Sequence, residues 1–202
     1  SKLGRVSPEH YDIVADIADP GIVTADRVDE IELETRHDIM ALTKAMAEAA
    51  GEAGWCIHLG ATSNDIVDSA VALQIKDSIN LQVETLSNLT LTLCEIAERE
   101  RNTVMIGRTH GQAAVPITFG LKVAVWVDEL RRHLERLREL TPRATTGKFL
   151  GAVGTGAAQG ENAFELQELI MRNLGLQTPM ATTQVVGRDR YIEWVGWMAN
   201  LA

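Results

Sequence analysis

An all-α chain, its long helices packed side by side in a bundle, is what this sequence of 202 residues predicts. Two observations point there. Apolar residues recur three and four positions apart over long stretches, which lines one side of an α-helix with a continuous apolar stripe. Helix start and stop residues punctuate those stretches, while no convincing pair of alternating strands and no internal repeat occurs.

Each element has a local justification. Ser7-Pro8 supplies a capping side chain and then a proline at the first helical position, where no N–H partner is needed. Pro20-Gly-Ile-Val23 reads as a turn. Thr24 then caps a helix expected to reach about residue 50, with Val28, Ile31, Ile39, Leu42 and Met46 on one stripe. Residues 51–61 read as a loop. The longest helix is expected over about 63–101, with Ile75, Ile79, Val83, Leu86, Leu93 and Ala97 facing a core. A loop around His110 follows. The next helix is expected to open at Pro116 and stop before Pro142, with Val123, Val127, Leu130, Leu134 and Leu137 in the spacing that left-handed bundle packing requires.

The glycine-rich stretch Gly147–Gly156 is not a P-loop, since no Gly-Lys-Ser/Thr closes it and no strand precedes it. A tight helix crossing, permitted by small residues, accounts for it. A helix over about 161–174 stops at Gly175. The last helix begins near Gly187, with Tyr191, Trp194, Val195, Met198 and Leu201 still in phase at the final residue, so it is expected to be cut rather than finished.

Composition narrows the function. Hydrophobic residues make up 46% and charged residues 23%, ordinary for a globular protein with a sizeable core. A net charge of −9 and only 4% aromatics argue against nucleic-acid binding. Cys56 and Cys94 form no Cys-x-x-Cys pair, which argues against a disulfide scaffold or a cysteine-rich zinc site and fits a reducing cytoplasm. No charge-free apolar run is long enough to span a membrane, and the first residues carry no signal-peptide core.

Four polar patches interrupt the apolar pattern. Arg36-His37-Asp38 lies inside a predicted helix; arginine beside histidine can bind a phosphate or carboxylate, and a solvated face with local charge pairing explains the triplet equally well. His58-Leu-Gly-Ala-Thr-Ser-Asn-Asp65 leads into the longest helix, with Thr62 as cap and Asp65 in a capping-box position. Ser63 stands where free backbone N–H groups suit a carboxylate. Gly107-Arg-Thr-His-Gly-Gln places His110 in a polar, glycine-flanked segment fit for proton transfer near neutrality. Thr182-Thr-Gln-Val-Val-Gly-Arg-Asp-Arg190 offers Gln184 to an amide or ring nitrogen, while Arg188 and Arg190 can pair with Asp189 and Glu193. His10 and His133 read as ordinary helix-surface residues.

These segments, together with Phe-Gly-Leu-Lys at 119–122 and Gly-Ala-Val-Gly-Thr at 151–155, stand in the order found in the adenylosuccinate lyase family of the fumarase/aspartase superfamily, and the chain resembles that family over nearly its whole length. The resemblance implies a carbon–nitrogen lyase of purine nucleotide synthesis, cytoplasmic, that eliminates fumarate from adenylosuccinate and the succinyl-carboxamide ribotide. It implies His110 as general acid to the leaving nitrogen, and His58 as a further active-site histidine. Arg36, His37 and Asp38 would contact the nucleotide, Thr62 and Ser63 a succinyl carboxylate, and Gln184 the substrate. No metal or organic cofactor is implied, nor any nucleic-acid or membrane partner. The superfamily's long-helix bundle is the implied fold, with 1–60 as the end of an N-terminal helical domain and 61–202 as the first part of the central bundle.

The family's Ser-Ser-x-Met-Pro-x-Lys-x-Asn loop, which carries the serine assigned as base, and its N-terminal Arg-Tyr segment are not among these residues. Family sites also combine residues from three subunits of a homotetramer. The expectation is therefore an internal piece that is inactive by itself. The alternatives are another lyase or cycloisomerase of the superfamily, such as carboxymuconate cycloisomerase, and a non-catalytic helical scaffold. His110, the Arg-His-Asp triplet and the Thr-Gln…Arg-Asp-Arg pairing favour the adenylosuccinate branch.

Overall fold

The computed structural model describes residues 3–202; Ser1 and Lys2 lie outside them. In chain order it contains α1 (Pro8–Ile17), α2 (Ala25–Thr35), α3 (Asp38–Ala50), α4 (Ser63–Arg99), β1 (Val104–Thr109), β2 (Gln112–Thr118), α5 (Phe119–Ala144), α6 (Ala163–Leu174) and α7 (Asp189–Leu201). Helix dominates, as the periodicity predicts. Ser7 and Thr24 cap α1 and α2 by accepting from the N–H groups of His10 and Arg27, and Gly175 ends α6 in the left-handed conformation. Among the described residues, no helix is long and apolar enough to cross a membrane.

The chain forms two units: residues up to Val71 with Gly147–Val186, and Ala72–Thr146 with Gly187–Ala202. In the first, α1, α2 and α3 share two small cores. Ile17, Ala50 and Ala53 pack with Ile13, Val14, Met46 and Ile57. Ile31, Ala41 and Ala45 pack with Val23 and Val28. The alanines let the helix backbones approach closely, and the larger side chains fill the rim.

The predicted helix over 24–50 is broken in two. Arg36 takes a left-handed conformation (φ 53°) and ends α2, while His37 is extended and its Nδ1 accepts from Met40 N at 3.3 Å, capping α3. The residues predicted to interrupt the stripe end one helix and start the next. Residues 51–56 form a 3₁₀ turn rather than open loop.

In the second unit the buried stripe includes Ile75, Ile79 and Leu86 of α4 and Val123, Leu137 and Leu140 of α5. Gly120 sits where a Cβ would overlap the Ala97 carbonyl, so α5 meets α4 at close range. Between these helices the predicted loop is an antiparallel hairpin of β1 and β2. Pro116 lies inside β2 opposite Ile106, so α5 starts at Phe119, capped by Thr118. A two-stranded ribbon has open edges, where a proline's missing donor is tolerated. The register shifts by one residue around Gly107. Both strands are largely exposed, so they lack the half-buried alternation by which strands are recognised.

The other end of α5 also departs from expectation, because the helix runs through Pro142 to Ala144. Thr141, Thr145 and Thr146 return hydroxyl hydrogen bonds to the carbonyls of Leu137, Thr141 and Pro142 around the proline. α7 docks on α5 through Trp197, only 4% exposed, whose Nε1 donates to the His133 carbonyl at 3.0 Å. His133, expected on the surface, is buried with its ring edge-on to Trp197. Val195, expected in the stripe, is exposed. Glu193 pairs with Arg143, which holds its carboxyl below the ordinary range.

Replacing Trp197 by Ala is expected to cost about 3–5 kcal/mol. Trp197→Phe, which keeps a buried ring but loses the N–H donor, should cost nearer 1 kcal/mol. Urea unfolding followed by far-ultraviolet circular dichroism separates the two. Equal losses would mean that the hydrogen bond, not ring burial, holds α7 in place.

Candidate active site

The N-terminus of α4 organises the first unit. Thr62 precedes the helix and is buried with Asp65 and Asp68. The Asp65 carboxylate reaches back to accept from Thr62 N at 2.9 Å, the reciprocal half of a capping box. Capping is only part of its work. It also accepts from Leu150 N at 3.2 Å, Gly151 N at 2.9 Å and Lys148 Nζ at 2.5 Å. One turn on, Asp68 accepts from Val186 N at 2.9 Å, and Ser69 Oγ bonds both the N–H and the carbonyl of Lys148 at 3.1 Å. Positions 65, 68 and 69 share one face of a helix. That face anchors both the glycine-rich segment and the strand of chain carrying Gln184.

Those two segments also meet each other. A Cβ on Gly154 would collide with the Thr182 carbonyl, so only glycine lets them pass. The glycine-rich stretch does permit close approach, but of loops against α4 rather than of crossing helices.

His37 lies on the solvent side of the same helix end. Its Nε2 is 3.4 Å from Ser63 Oγ. Because Nδ1 accepts from Met40 N, the neutral ring carries its proton on Nε2 and donates to Ser63. That leaves the Ser63 hydroxyl hydrogen free to point at a ligand, beside the N–H groups of Ser63 and Asn64 that open the helix. Arg36 and Asp38 flank this histidine and are exposed; the Asp38 carboxylate accepts from Ile39 N at 2.7 Å.

His58 sits in the turn before the helix, with φ 63°. The turn is held from below: Gln159 Nε2 donates to the Leu59 carbonyl at 3.2 Å, and Arg5 donates to the Gln159 side chain. His58 Nε2 is buried without a hydrogen-bond partner. An apolar cavity of about 410 Å³ lies beside this turn, lined by Arg5, Tyr11, Leu59, Phe149 and Gln159 among others, and none of the predicted site residues faces it.

In the second unit, His110 and Gly111 form the two-residue turn of the hairpin, with Thr109 opposite Gln112. Their φ values are 52° and 74°. A type I′ turn requires both central residues to be left-handed and favours Asn-Gly there. A histidine in that place is presented to solvent on a short, twisted ribbon.

The structure thus joins His37 to Ser63, sets Thr62 beside Asp65, and ties the Gln184 segment to the same helix through Asp68. Lys148, Asp68 and Ser69 escaped the sequence reading. A lone lysine between a glycine and apolar residues, and a pair of aspartates three apart at a helix start, were the available signals.

Residues 13–202 match the family described as Lyase, and the chain belongs to it. Adenylosuccinate lyase of Pyrococcus abyssi is 47% identical over 202 residues, covering 100% of this chain and 45% of that protein. The Pyrococcus horikoshii adenylosuccinate lyase is 48% identical over the same length and share. Among solved structures, a fumarate lyase from Mesorhizobium sp. BNC1 superposes with a TM-score of 0.90 at 34% identity, covering 99% of this chain and 47% of that one. The chain therefore spans just under half the length of the relatives it matches.

Left-handed backbone at a residue with a Cβ costs of order 1–2 kcal/mol. His110→Gly is accordingly expected to slow amide hydrogen exchange in β1 and β2, and His110→Val to speed it, because a β-branched side chain fits that conformation worst. The reverse order would show that the turn carries no strain at His110.

Proposed function

We propose that the native protein carrying this sequence eliminates fumarate from adenylosuccinate, and from the succinyl-carboxamide ribotide, as a carbon–nitrogen lyase. One structural observation carries the reading. The non-glycine residues at positive φ among the described residues are Arg36, His58 and His110, and each belongs to a polar motif singled out from the sequence. Strained backbone of this kind clusters at active sites and ligand clamps. The names and identities of the relatives support the choice of substrate.

The chemistry assigns a task to each group. Elimination removes a proton from the carbon next to a carboxylate, and the carbon–nitrogen bond breaks as its electron pair leaves with the nitrogen. His110 as the acid gives that nitrogen its proton. Thr62, Ser63 and the free N–H groups of α4 receive a succinyl carboxylate, which holds the substrate in place as negative charge develops beside it. His37 orients Ser63 by donating to its oxygen. Arg36, with its obligatory charge, suits the nucleotide phosphate, and Asp38 lies beside it. Gln184 binds the base or its amide, and His58 is the further histidine of the site. The carbon base, by resemblance to the family, is a serine on a segment outside this sequence. The proposal extends to a cytoplasmic homotetramer in which several subunits complete each site.

An absorbance assay of fumarate release tests this in the native protein. His110→Asn keeps a residue that tolerates the turn but removes the acid. It should lower kcat by about 10²–10⁴-fold and leave KM within a few fold. Near-normal turnover would remove His110 from the acid's role, and no fumarate release by the unmodified protein would overturn the assigned reaction.

A further inference from the structure

Lys148 lies in the glycine-rich stretch but in none of the four polar patches, and it is fully buried, with Asp65 as its ion-pair partner. We propose that Lys148 is the counter-charge that allows an anionic substrate to be held at the N-terminus of α4. It acts through Asp65 as a positioning residue, without touching the ligand. The inference rests on the reading above that Thr62 and Ser63 receive a carboxylate.

The geometry sets a conflict that Lys148 resolves. Asp65 gathers Thr62 N, Leu150 N, Gly151 N and Lys148 Nζ, two donors on each oxygen. A carboxylate has about four acceptor directions, so all are used. Asparagine has a single acceptor oxygen there and cannot hold the three backbone groups, so this junction requires a carboxylate. That carboxylate is 1% exposed and stands in the first turn of α4, two residues after Ser63. Its charge therefore lies within roughly 5 Å of rise from the place assigned to the ligand's carboxylate. Like charges at such range, shielded poorly by protein, weaken binding by about tenfold or more. Three of its partners are N–H dipoles carrying no net charge. The ammonium of Lys148, at 2.5 Å, is the partner that cancels the charge.

Steady-state kinetics on adenylosuccinate and urea unfolding of three variants of the native protein test this. Lys148→Met leaves the Asp65 charge bare and should raise KM about tenfold, with a much smaller effect on kcat. Lys148→Arg keeps a cation against Asp65 and should leave KM within about threefold of the unmodified value. Lys148→Gln, a neutral donor to Asp65, should raise KM as Lys148→Met does. All three should be less stable. General loosening of the site moves KM upward in step with lost stability, so a KM that rises in all three variants would overturn the proposal. If Lys148→Met does not fold, Lys148→Gln takes its place. An unmodified protein that releases no fumarate sinks the assigned reaction instead. Fumarate titration by calorimetry then ranks the same variants, with the same order expected and a uniform loss of affinity counting against the charge balance.

Discussion

One buried carboxylate, Asp65, receives four donors from two stretches of chain that lie more than eighty residues apart in sequence. Satisfying every lone pair of a buried charge is a demanding condition, and it dictates much around it. Within residues 148–151 the N–H groups of Leu150 and Gly151 and the Lys148 side chain point at that carboxylate, while the N–H groups of Lys148 and Phe149 go to Ser69 Oγ and Gln167 Oε1. Gly151 accordingly takes φ 74°, open to glycine at little cost. Asp68 repeats the arrangement one turn later with Val186. Two loops are thus fastened to the N-terminal end of a 37-residue helix.

The three strained histidine and arginine positions follow a different logic. Arg36 closes α2, His58 turns the chain before α4, and His110 opens the hairpin. Each is a point where glycine or asparagine would relax the backbone. The residues present instead carry charge or a titratable ring, side chains that local backbone preference alone would not select.

Helix periodicity read correctly from the residues because burial writes itself into spacing. Ile75, Ile79, Leu86, Val123 and Leu137 are all buried as the stripes require. The capping position of Asp65 was legible too, since its carboxylate accepts from Thr62 N as that position requires. What escaped was non-local. The hairpin is mostly exposed, so no alternation marked it, and its turn signal was hidden in a His-Gly pair where Asn-Gly is the familiar form. His133 looks like a surface residue until Trp197 of α7 covers it. The partnership of Lys148 with Asp65 joins positions 83 apart in sequence, and no local pattern announces it.

The His110 turn has an evolutionary corollary. Mutations that remove a catalyst often also injure the scaffold, and selection then sees both losses together. On the role proposed for His110, the residues that would silence the chemistry, glycine and asparagine, are the ones this turn accepts most readily. Fold and reaction are therefore decoupled at this position. A descendant lineage has a short, unobstructed path to a well-folded protein with no turnover, free to be kept for its shape alone.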